Sequence, residues 1–576
     1  MSRLRFDFEG KTKIFTAPKT VLTTTNVADI PEIMAQIEQF RAEGYYIAGY
    51  LSYEAAPAFH SEMVVHSAKR ALPIAWFGVY RGFSEAAPPV EDLAWPLDLR
   101  LDMAESDYQL KIEQIKRKIK DGVTYQTNYT IRATGALDMT ADLEEDALAR
   151  LYERLRQTGQ VDYAAHLDLD RWQILSASPE LFFKVQDGQI VTRPMKGTAR
   201  RGSNQEEDQK QRDFLANDEK NHSENIMIVD LLRNDLGRIA KTGSVKVPKL
   251  CTIEGYPTVW QMTSTITADL LPEIDLSTIF QALFPCGSIT GAPKISTMQV
   301  IAELETAPRE VYCGTIGYIT PDNDMMFSVP IRTLIYEADN QQVGYGVGGG
   351  IVWDSDPAAE WQEVHAKMAV LKQAFPPFGL IESMRLEGGK IIRLEKHLDR
   401  LKKSAKELAF AFDNRKIESK WRQIAASHPK GIYKLRSVLY ANGHLQVTVE
   451  PIAAQVAGWD FQLADRAIDF HPLLAHKITE RNAYERCRKT GSIETLLWNK
   501  KHELTEFING NLVIEKNNQK MTPPLSAGIL GGIFRDSLLQ AGEVHEQTLS
   551  IADLHSADRV WCTNSVRGWI QMKWRK

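Results

Sequence analysis

Two adjacent prolines, Pro376 and Pro377, follow a stretch with helical spacing, and neither can continue a helix. A chain of 576 residues is too long for one hydrophobic core. The proline pair therefore marks a boundary, with one unit over 1–375, a linker at 376–379 and a second unit over 380–576. Past the boundary the pattern restarts: a strand at 380–386, a hairpin at Gly388-Gly389, a helix over 394–408, and strands at 433–440 and 444–450.

The first unit divides into an N-terminal part, 1–100, and a catalytic part, 101–375. A buried strand is read at 45–56 and an exposed proline-rich loop at 86–98. Tyr108, Ile112, Ile115 and Ile119 recur at helical spacing over 106–121. Strands are expected at 163–169, 172–176, 181–186 and 189–193, then one long helix over 207–236 stopped by Gly237. Further strands at 314–320, 326–336 and 343–348 lead to a helix over 357–374.

Composition narrows the classes of function. Hydrophobic residues make up 43 % and charged residues 25 %, the balance of a globular protein, and the net charge of −5 is spread along the chain. No basic stripe appears, so nucleic acid is not an expected partner. The 5 cysteines never form a C-x-x-C pair, which argues against a zinc site or disulfide framework and for a reducing, cytoplasmic setting. The first residues lack an apolar leader and no run of 18 apolar residues occurs, so neither export nor membrane insertion is expected.

Two acidic clusters fall on helical patterns. Glu224 lies on the polar face of ENIMIVDLL while Ile226, Ile228, Val229 and Leu232 supply the buried side, and Glu360, Glu363 and Lys367 share one face of EWQEVHAKM. Carboxylates from two helices meeting in a cleft suit a hard octahedral Mg²⁺ with water and an anionic substrate.

The motifs around these clusters are specific. SASPELFF, TRPMKGTARRG, KNHSENIMIVDLLRNDLGR, FPCGSITGAPK, VYCGTIGY, IRT and GVGGGIVWDSDPAAEWQEVHAK occur in this order. Together they closely resemble the chorismate-using enzymes: anthranilate synthase component I, isochorismate and salicylate synthases, and aminodeoxychorismate synthase component I. The resemblance implies an α+β fold of antiparallel sheets packed with helices. It also implies Glu224 and Glu363 as Mg²⁺ ligands with Glu360 beside them, and Glu180 as the acid for a departing hydroxyl. Gln126, Thr198, Tyr312, Arg332 and Lys367 are then substrate-side positions. Ser288, Thr290 and Gly291 sit in a loop that would offer backbone N–H groups to a carboxylate at a helix start.

Within that family, anthranilate synthases carry alanine where Lys196 stands and aminodeoxychorismate synthases carry lysine. Amination at C4 of chorismate requires the C4 hydroxyl to leave, and an amine attacking C2 can expel it by shifting the ring double bonds. Apolar drying and nearby cations would make Lys196 such a nucleophile. Gln261 departs from the family, standing where many relatives have histidine, which puts pyruvate elimination at this first site in doubt. No glutaminase motif is present, so ammonia is expected from a separate glutamine amidotransferase subunit or from solution.

From 379 onward, LIESMRLEGGKIIRLEKHLDRLKKSA, HKITERNAYE, ELTEFINGNLVI, TPPLSAGILGGIFRDSLL and CTNSVRGW resemble the class IV pyridoxal phosphate enzymes, a two-subdomain α/β fold here trimmed at its N-terminal side. Those include aminotransferases and 4-amino-4-deoxychorismate lyase. By that resemblance Lys477 holds pyridoxal 5'-phosphate as a Schiff base and shuttles protons, and Glu506 partners the pyridine nitrogen. Arg400, the N–H groups of Gly532 and Ile533, and Asn564-Ser565 hold the phosphate, and Arg567 meets a substrate carboxylate. A homodimer through this unit is a further expectation.

The combined reading is a bifunctional enzyme that makes 4-aminobenzoate, on the folate route, from chorismate and ammonia. Its alternatives are an anthranilate-type synthase fused to a class IV aminotransferase, and a non-catalytic scaffold for an amidotransferase. Lys196 argues against the first. The joint presence of Glu180, Lys196, Glu224, Glu363, Lys477 and Glu506 argues against the second.

Overall fold

The computed structural model describes residues 2–68, 71–85, 97–137, 147–156, 161–202, 205–256, 259–372, 378–408, 410–440, 443–452, 459–468 and 471–575. Pro376 and Pro377, and residues 86–96 of the proline-rich stretch, lie outside them. The chain packs as two compact units. One comprises 1–198, 215–253 and 261–375, and the other 199–214, 254–260 and 376–576. The second unit thus takes in two short segments from within the span of the first.

Among its described residues the first unit has two large antiparallel sheets that share a core. In one, Gln342–Ile351 pairs along its whole length with Gln126–Ala136 and on its other side with Thr333–Glu337. That sheet continues through Trp172–Ser178, Tyr163–Leu169 and Arg3–Phe8. The other runs from Met195–Arg200 through Val259–Asp269, Gln189–Arg193, Leu181–Gln186 and Met325–Ser328 to Thr315–Ile319 and Tyr46–Leu51. Phe6, Phe15 and Ile174 from the first sheet meet Tyr50, Leu181 and Ile316 from the second.

Helices cover the outer faces. Glu105–Lys120 buries Tyr108, Ile112 and Ile115 on one stripe, with acids in its first turn and Arg117, Lys118 and Lys120 in its last, each end matching the helix dipole. Glu219–Gly237 and Leu276–Leu283 lay Ile228, Leu232, Ile279 and Phe280 against Phe182, Phe183 and Ile266.

Three expected elements differ. The long helix over 207–236 is two helices, Gln205–Asn217 and Glu219–Gly237. Asp218 between them is extended, and its side chain accepts the Asn221 N–H, so a residue that prefers a helix N-cap has started a new helix. The strand over 326–336 is two strands in different sheets, Met325–Ser328 and Thr333–Glu337, separated at Pro330 and by the left-handed Arg332 (φ 52°). The strand over 45–56 stops at Leu51, and a 3₁₀ turn, Tyr53–Ala55, and a short helix, Ala56–Phe59, follow.

Among its described residues the second unit has two sheets. Leu380–Glu387, Ile432–Leu439 and Leu445–Pro451 form an antiparallel sheet beneath Leu394–Glu407. A mixed sheet runs Leu504–Phe507, Glu494–Trp498, Trp459–Leu463, Gly568–Trp574, Arg559–Asn564 and Gly510–Lys516, and pairing of its first strand with Gly510–Lys516 closes the ring. Phe461, Leu496, Phe507, Leu512 and Ile570 fill the ring's core.

Candidate active sites

Bare glycine backbone on Gln342–Ile351 builds the first site. A methyl group placed on Gly350 would stand 2.4 Å from Gln126 Nε2 and 3.3 Å from Lys196 Nζ. One on Gly349 would meet Glu360 Oε2 and Lys367 Nζ at 3.4 Å and Glu363 Oε1 at 3.7 Å. Side chains from three separate elements therefore converge where this strand has none of its own. Gln126 is 1 % exposed, yet neither its amide nitrogen nor its oxygen has a partner. An unmet buried polar group costs on the order of 1–3 kcal/mol, a cost that a ligand can remove.

Lys196 sits on the strand Met195–Arg200. The expectation that apolar neighbours dry it needs correction: it is half-buried, and the charges acting with it are the carboxylates Glu180, Glu224 and Glu363. Glu180 is 4 % exposed. Burial pushes its carboxyl up to about 7, against the opposing pull of a Ser288 hydrogen bond and of Lys196, and its Oε1 lacks a partner. A carboxyl that stays protonated to neutral pH beside an amine is a ready proton donor.

Glu224 of one acidic cluster feels the charge of Glu363 of the other, and Ile226, expected on the buried side of the Glu224 helix, is instead 41 % exposed. Glu224 on Glu219–Gly237 is raised by burial and feels both Glu363 and Lys367. Glu360 is raised by burial while it accepts the Ser355 hydroxyl at 2.7 Å. Glu363 is held below its ordinary value by Lys367, which pairs with it at 2.8 Å and donates to the Gly348 carbonyl at 2.6 Å. Among the described residues no three His, Cys, Asp or Glu side chains stand close enough to hold a metal as they are.

The remaining positions of this unit are more dispersed. Ser288 and Thr290 are buried, but the helix Lys294–Leu304 begins only after Pro293, so the glycine loop is not at an α-helix start. It forms a 3₁₀ turn, Gly287–Ile289, and then Gly291 pairs with Thr127. The Thr290 hydroxyl donates to the Cys286 carbonyl at 3.0 Å. Tyr312 lies against Gly346, and Arg332 acts on the neighbouring Tyr345. The Thr198 hydroxyl donates to Gln261 at 2.8 Å, a contact between the paired strands Met195–Arg200 and Val259–Asp269.

The second site is a cavity of about 460 Å³ within the second unit. Arg400, Lys477, Glu506, Gly532, Ile533, Asn564, Ser565 and Arg567 all line it. Burial and the Arg400 and Arg481 guanidiniums lower the Lys477 amine to about 8, although Glu382 and Glu506 pull the other way. Burial raises Glu506 to about 7, opposed by hydrogen bonds from the Leu530 N–H and the Tyr484 hydroxyl. Gly532 precedes the helix Ile533–Gln540 without any side-chain cap, leaving that helix start to face the cavity bare.

Sequence reasoning missed the residues that orient these groups. Glu382, an acid within the apolar strand Leu380–Glu387, takes Arg400 bidentately at 2.9 and 2.7 Å and His397 Nδ1 at 2.6 Å. Burial alone would raise Glu382, but Arg400 and His397 bring it down to about 2. Asn511 donates to Glu506 Oε2 at 3.2 Å and to the Leu530 carbonyl at 2.8 Å. The Asn564 side chain accepts the Val566 and Arg567 N–H groups at 3.1 and 2.9 Å, so it shapes the turn that carries Ser565 and Arg567. An acid amid LIESM was the available signal for Glu382. The Asn509-Gly510 pair, a hairpin signal, was the available sign that Asn511 faces Glu506.

The two units thus each carry a candidate centre, an amine-and-carboxylate cluster on one and a cavity lined by Lys477 in the other. The family model described as chorismate binding enzyme matches residues 84–373, half of the chain, and the chain belongs to that family. A second model, amino-transferase class IV, matches residues 379–573.

Aminodeoxychorismate synthase component 1 of Escherichia coli is 41 % identical over 291 residues, 50 % of this chain and 62 % of that protein. Anthranilate synthase component 1 of Aquifex aeolicus is 39 % identical over 39 % of this chain and 45 % of its own length. The solved anthranilate synthase component I from Streptococcus pneumoniae superposes with a TM-score of 0.54 at 26 % identity, over 64 % of this chain and 92 % of that one. The chain spans about three fifths of the length of the aminodeoxychorismate synthases that it matches at 41 % and 39 % identity, 62 % and 61 %.

Proposed function

We propose that the chain makes 4-aminobenzoate from chorismate in two steps, amination at C4 in the first unit and loss of pyruvate in the second. The observation that carries the reading is Lys196, whose amine faces Gln126 across Gly350 and acts with the near-neutral acid Glu180.

In the first step the Lys196 amine attacks C2 of chorismate. The ring double bonds shift and the C4 hydroxyl leaves as water with the proton from Glu180. Ammonia then adds at C4, the double bonds shift back, and the lysine leaves C2 as a free amine, giving 4-amino-4-deoxychorismate. The donor chemistry of Glu224, Glu360 and Glu363 fits a Mg²⁺ ion, which is usually held by one or two carboxylates together with waters and an anionic ligand. Glu224 and Glu363 would hold it, and it would neutralise a substrate carboxylate. By likeness to component 1 of aminodeoxychorismate synthase, ammonia would come from a separate amidotransferase subunit.

The second cavity suits pyridoxal phosphate, since a lowered lysine amine, a neutral-tending carboxyl, an uncapped helix start and Arg400 all border one space. Bound there, the cofactor would act as an electron sink. Lys477 would hold it and take the proton from substrate C4, and Glu506 would face its ring nitrogen. Arg400 and the Gly532 and Ile533 N–H groups would hold its phosphate. Arg567, whose guanidinium lies 5.4 Å over the Trp459 ring, would take a substrate carboxylate. Loss of pyruvate from C3 then leaves an aromatic ring.

Incubation with chorismate, Mg²⁺, ammonium and pyridoxal phosphate, followed by chromatography and mass spectrometry, tests the proposal. 4-Aminobenzoate and pyruvate in equal amounts are expected, with no 2-oxo acid added. Anthranilate as the aromatic product, or a requirement for a 2-oxo acid, would overturn it.

A further inference from the structure

Gln261 is 5 % exposed on Val259–Asp269, and both ends of its amide bond the paired strand Met195–Arg200. Its Nε2 donates to the Gly197 carbonyl at 2.8 Å, and its Oε1 accepts the Thr198 hydroxyl at 2.8 Å. Both contacts fall just after Lys196 on that strand. On the near side the Pro194 carbonyl accepts the Ser264 N–H at 3.2 Å, so the backbone is fixed before and after the lysine. Gly197 is left-handed (φ 82°), and a methyl group there would come within 2.8 Å of Asn221 Oδ1. Asn221 is itself tied to Asp218, at 2.8 Å from its side-chain nitrogen. The strand around Lys196 is thus held by its paired strand and by Asn221, with Gln261 as the side-chain part of that hold.

We propose that Gln261 is a positioning residue that holds the Lys196 amine against Gly350 and Gln126. The inference rests on Lys196 being the nucleophile. An amide suits the task because it carries a donor and an acceptor on adjacent atoms of one plane. Imidazole nitrogens point apart and cannot serve Gly197 and Thr198 together. A carboxylate can accept from Thr198, but it has no proton for Gly197 and sets a charge against that carbonyl. The Gln261 amide bonds Gly197 and Thr198 and not the acid Glu180, so its loss should impair the reacting geometry more than chorismate binding.

Gln261→Ala, Gln261→Glu, Thr198→Val, Thr198→Ser and the Gln261→Ala/Thr198→Val double variant test this. With saturating ammonium, Gln261→Ala should lower kcat for the 4-amino product about 10²-fold, the cost of misplacing a reacting group by roughly 1 Å. The KM for chorismate should move less than about threefold, because ground-state binding is not what the brace supplies. Thr198→Val, at an exposed residue, should show a smaller loss of the same kind, Thr198→Ser should restore it, and the double variant should lose no more than Gln261→Ala alone.

Unchanged kcat in both single variants, losses confined to KM, or additive losses would overturn the proposal. A second readout needs no turnover: the rate at which an amine-reactive reagent labels Lys196, followed by peptide mass spectrometry. If the parent enzyme makes no 4-amino product, the reaction assigned to this site falls, and labelling still judges the brace. A changed Lys196 labelling rate in Gln261→Ala supports it, and an unchanged rate refutes it.

Discussion

Tyr484 donates its hydroxyl to Glu506 Oε1 at 2.9 Å, and the same oxygen accepts the Leu530 N–H at 3.1 Å. These bonds favour the carboxylate, but burial outweighs them and sets Glu506 at about 7 against a usual 4.5. Between those values the folded second unit holds a proton that the unfolded chain does not. Its stabilising share is therefore complete below about pH 4.5 and disappears as pH rises through about 7. Glu506→Gln should remove this slope, a change on the order of a few kcal/mol between acid and alkaline limits. Thermal melts of the cofactor-free parent and variant, compared from pH 4 to 8, measure it. Parallel pH profiles would contradict the assignment of about 7 to Glu506.

Glu180 carries the corresponding prediction for the first unit. If its protonated form delivers a proton to the departing hydroxyl, the amination rate should fall as pH rises through about 7. Glu180→Gln keeps the shape and removes the proton, and should cost roughly 10²–10⁴-fold in kcat, the usual worth of a positioned general acid. Production of 4-amino-4-deoxychorismate, followed by chromatography across pH, gives both quantities. A variant that kept its rate would assign the proton to another group.

Most of the second site was legible because its residues lie in short motifs whose order is itself informative. Lys477, Glu506, Gly532, Ile533 and Arg567 all border one cavity. Glu382 was not legible, since it acts from a strand on Arg400 of the next helix, 18 residues on, and no local spacing encodes such a contact; Asn511 needed the hairpin that makes it the cross-strand partner of Glu506, five residues back. In the first unit the polar run around Asp218 concealed a helix break, because an N-cap inside a helical pattern looks like one more polar-face residue. Pro330 was a visible sign that 326–336 is not one strand, and the apolar residues on both sides of it outweighed that sign. The convergence at Gly349 and Gly350 depends on empty space beside a strand, and the glycines announce only the space.

Metal dependence should separate the two units. Glu224→Gln and Glu363→Gln should each abolish Mg²⁺-stimulated amination while leaving the conversion of supplied 4-amino-4-deoxychorismate to 4-aminobenzoate near normal. The Glu363–Lys367 pair is about half exposed on both sides, so breaking it should cost the fold little, within about 1 kcal/mol. Titrating Mg²⁺ against each half-reaction checks this. Loss of both activities in a folded variant would contradict independent centres.

Lys196→Ala tests the nucleophile directly. Without the amine nothing expels the C4 hydroxyl through attack at C2, so the 4-amino product should vanish. Ammonia attacking C2 in its place would leave a 2-amino adduct, which mass spectrometry and chromatography distinguish from the 4-amino isomer. An unchanged rate of 4-amino-4-deoxychorismate formation would reduce Lys196 to a turn residue.

The Lys477 amine, lowered to about 8 by burial and by the Arg400 and Arg481 charges, should react with carbonyl compounds at a far lower pH than a free lysine. For an amine the unprotonated form is the reactive one, so covalent capture of pyridoxal phosphate by the cofactor-free chain should rise through about pH 8. Borohydride trapping and peptide mapping would place the label on Lys477, and Lys477→Ala should take up none. The position of the rise tests the electrostatics separately from the lyase assignment. Arg481→Leu, whose native side chain lies 4.4 Å over the Tyr484 ring, removes one of the charges that lower the amine. It should move the rise to higher pH, and a rise that stayed in place would remove Arg481 from the causes and leave burial and Arg400 to set the reactivity of Lys477.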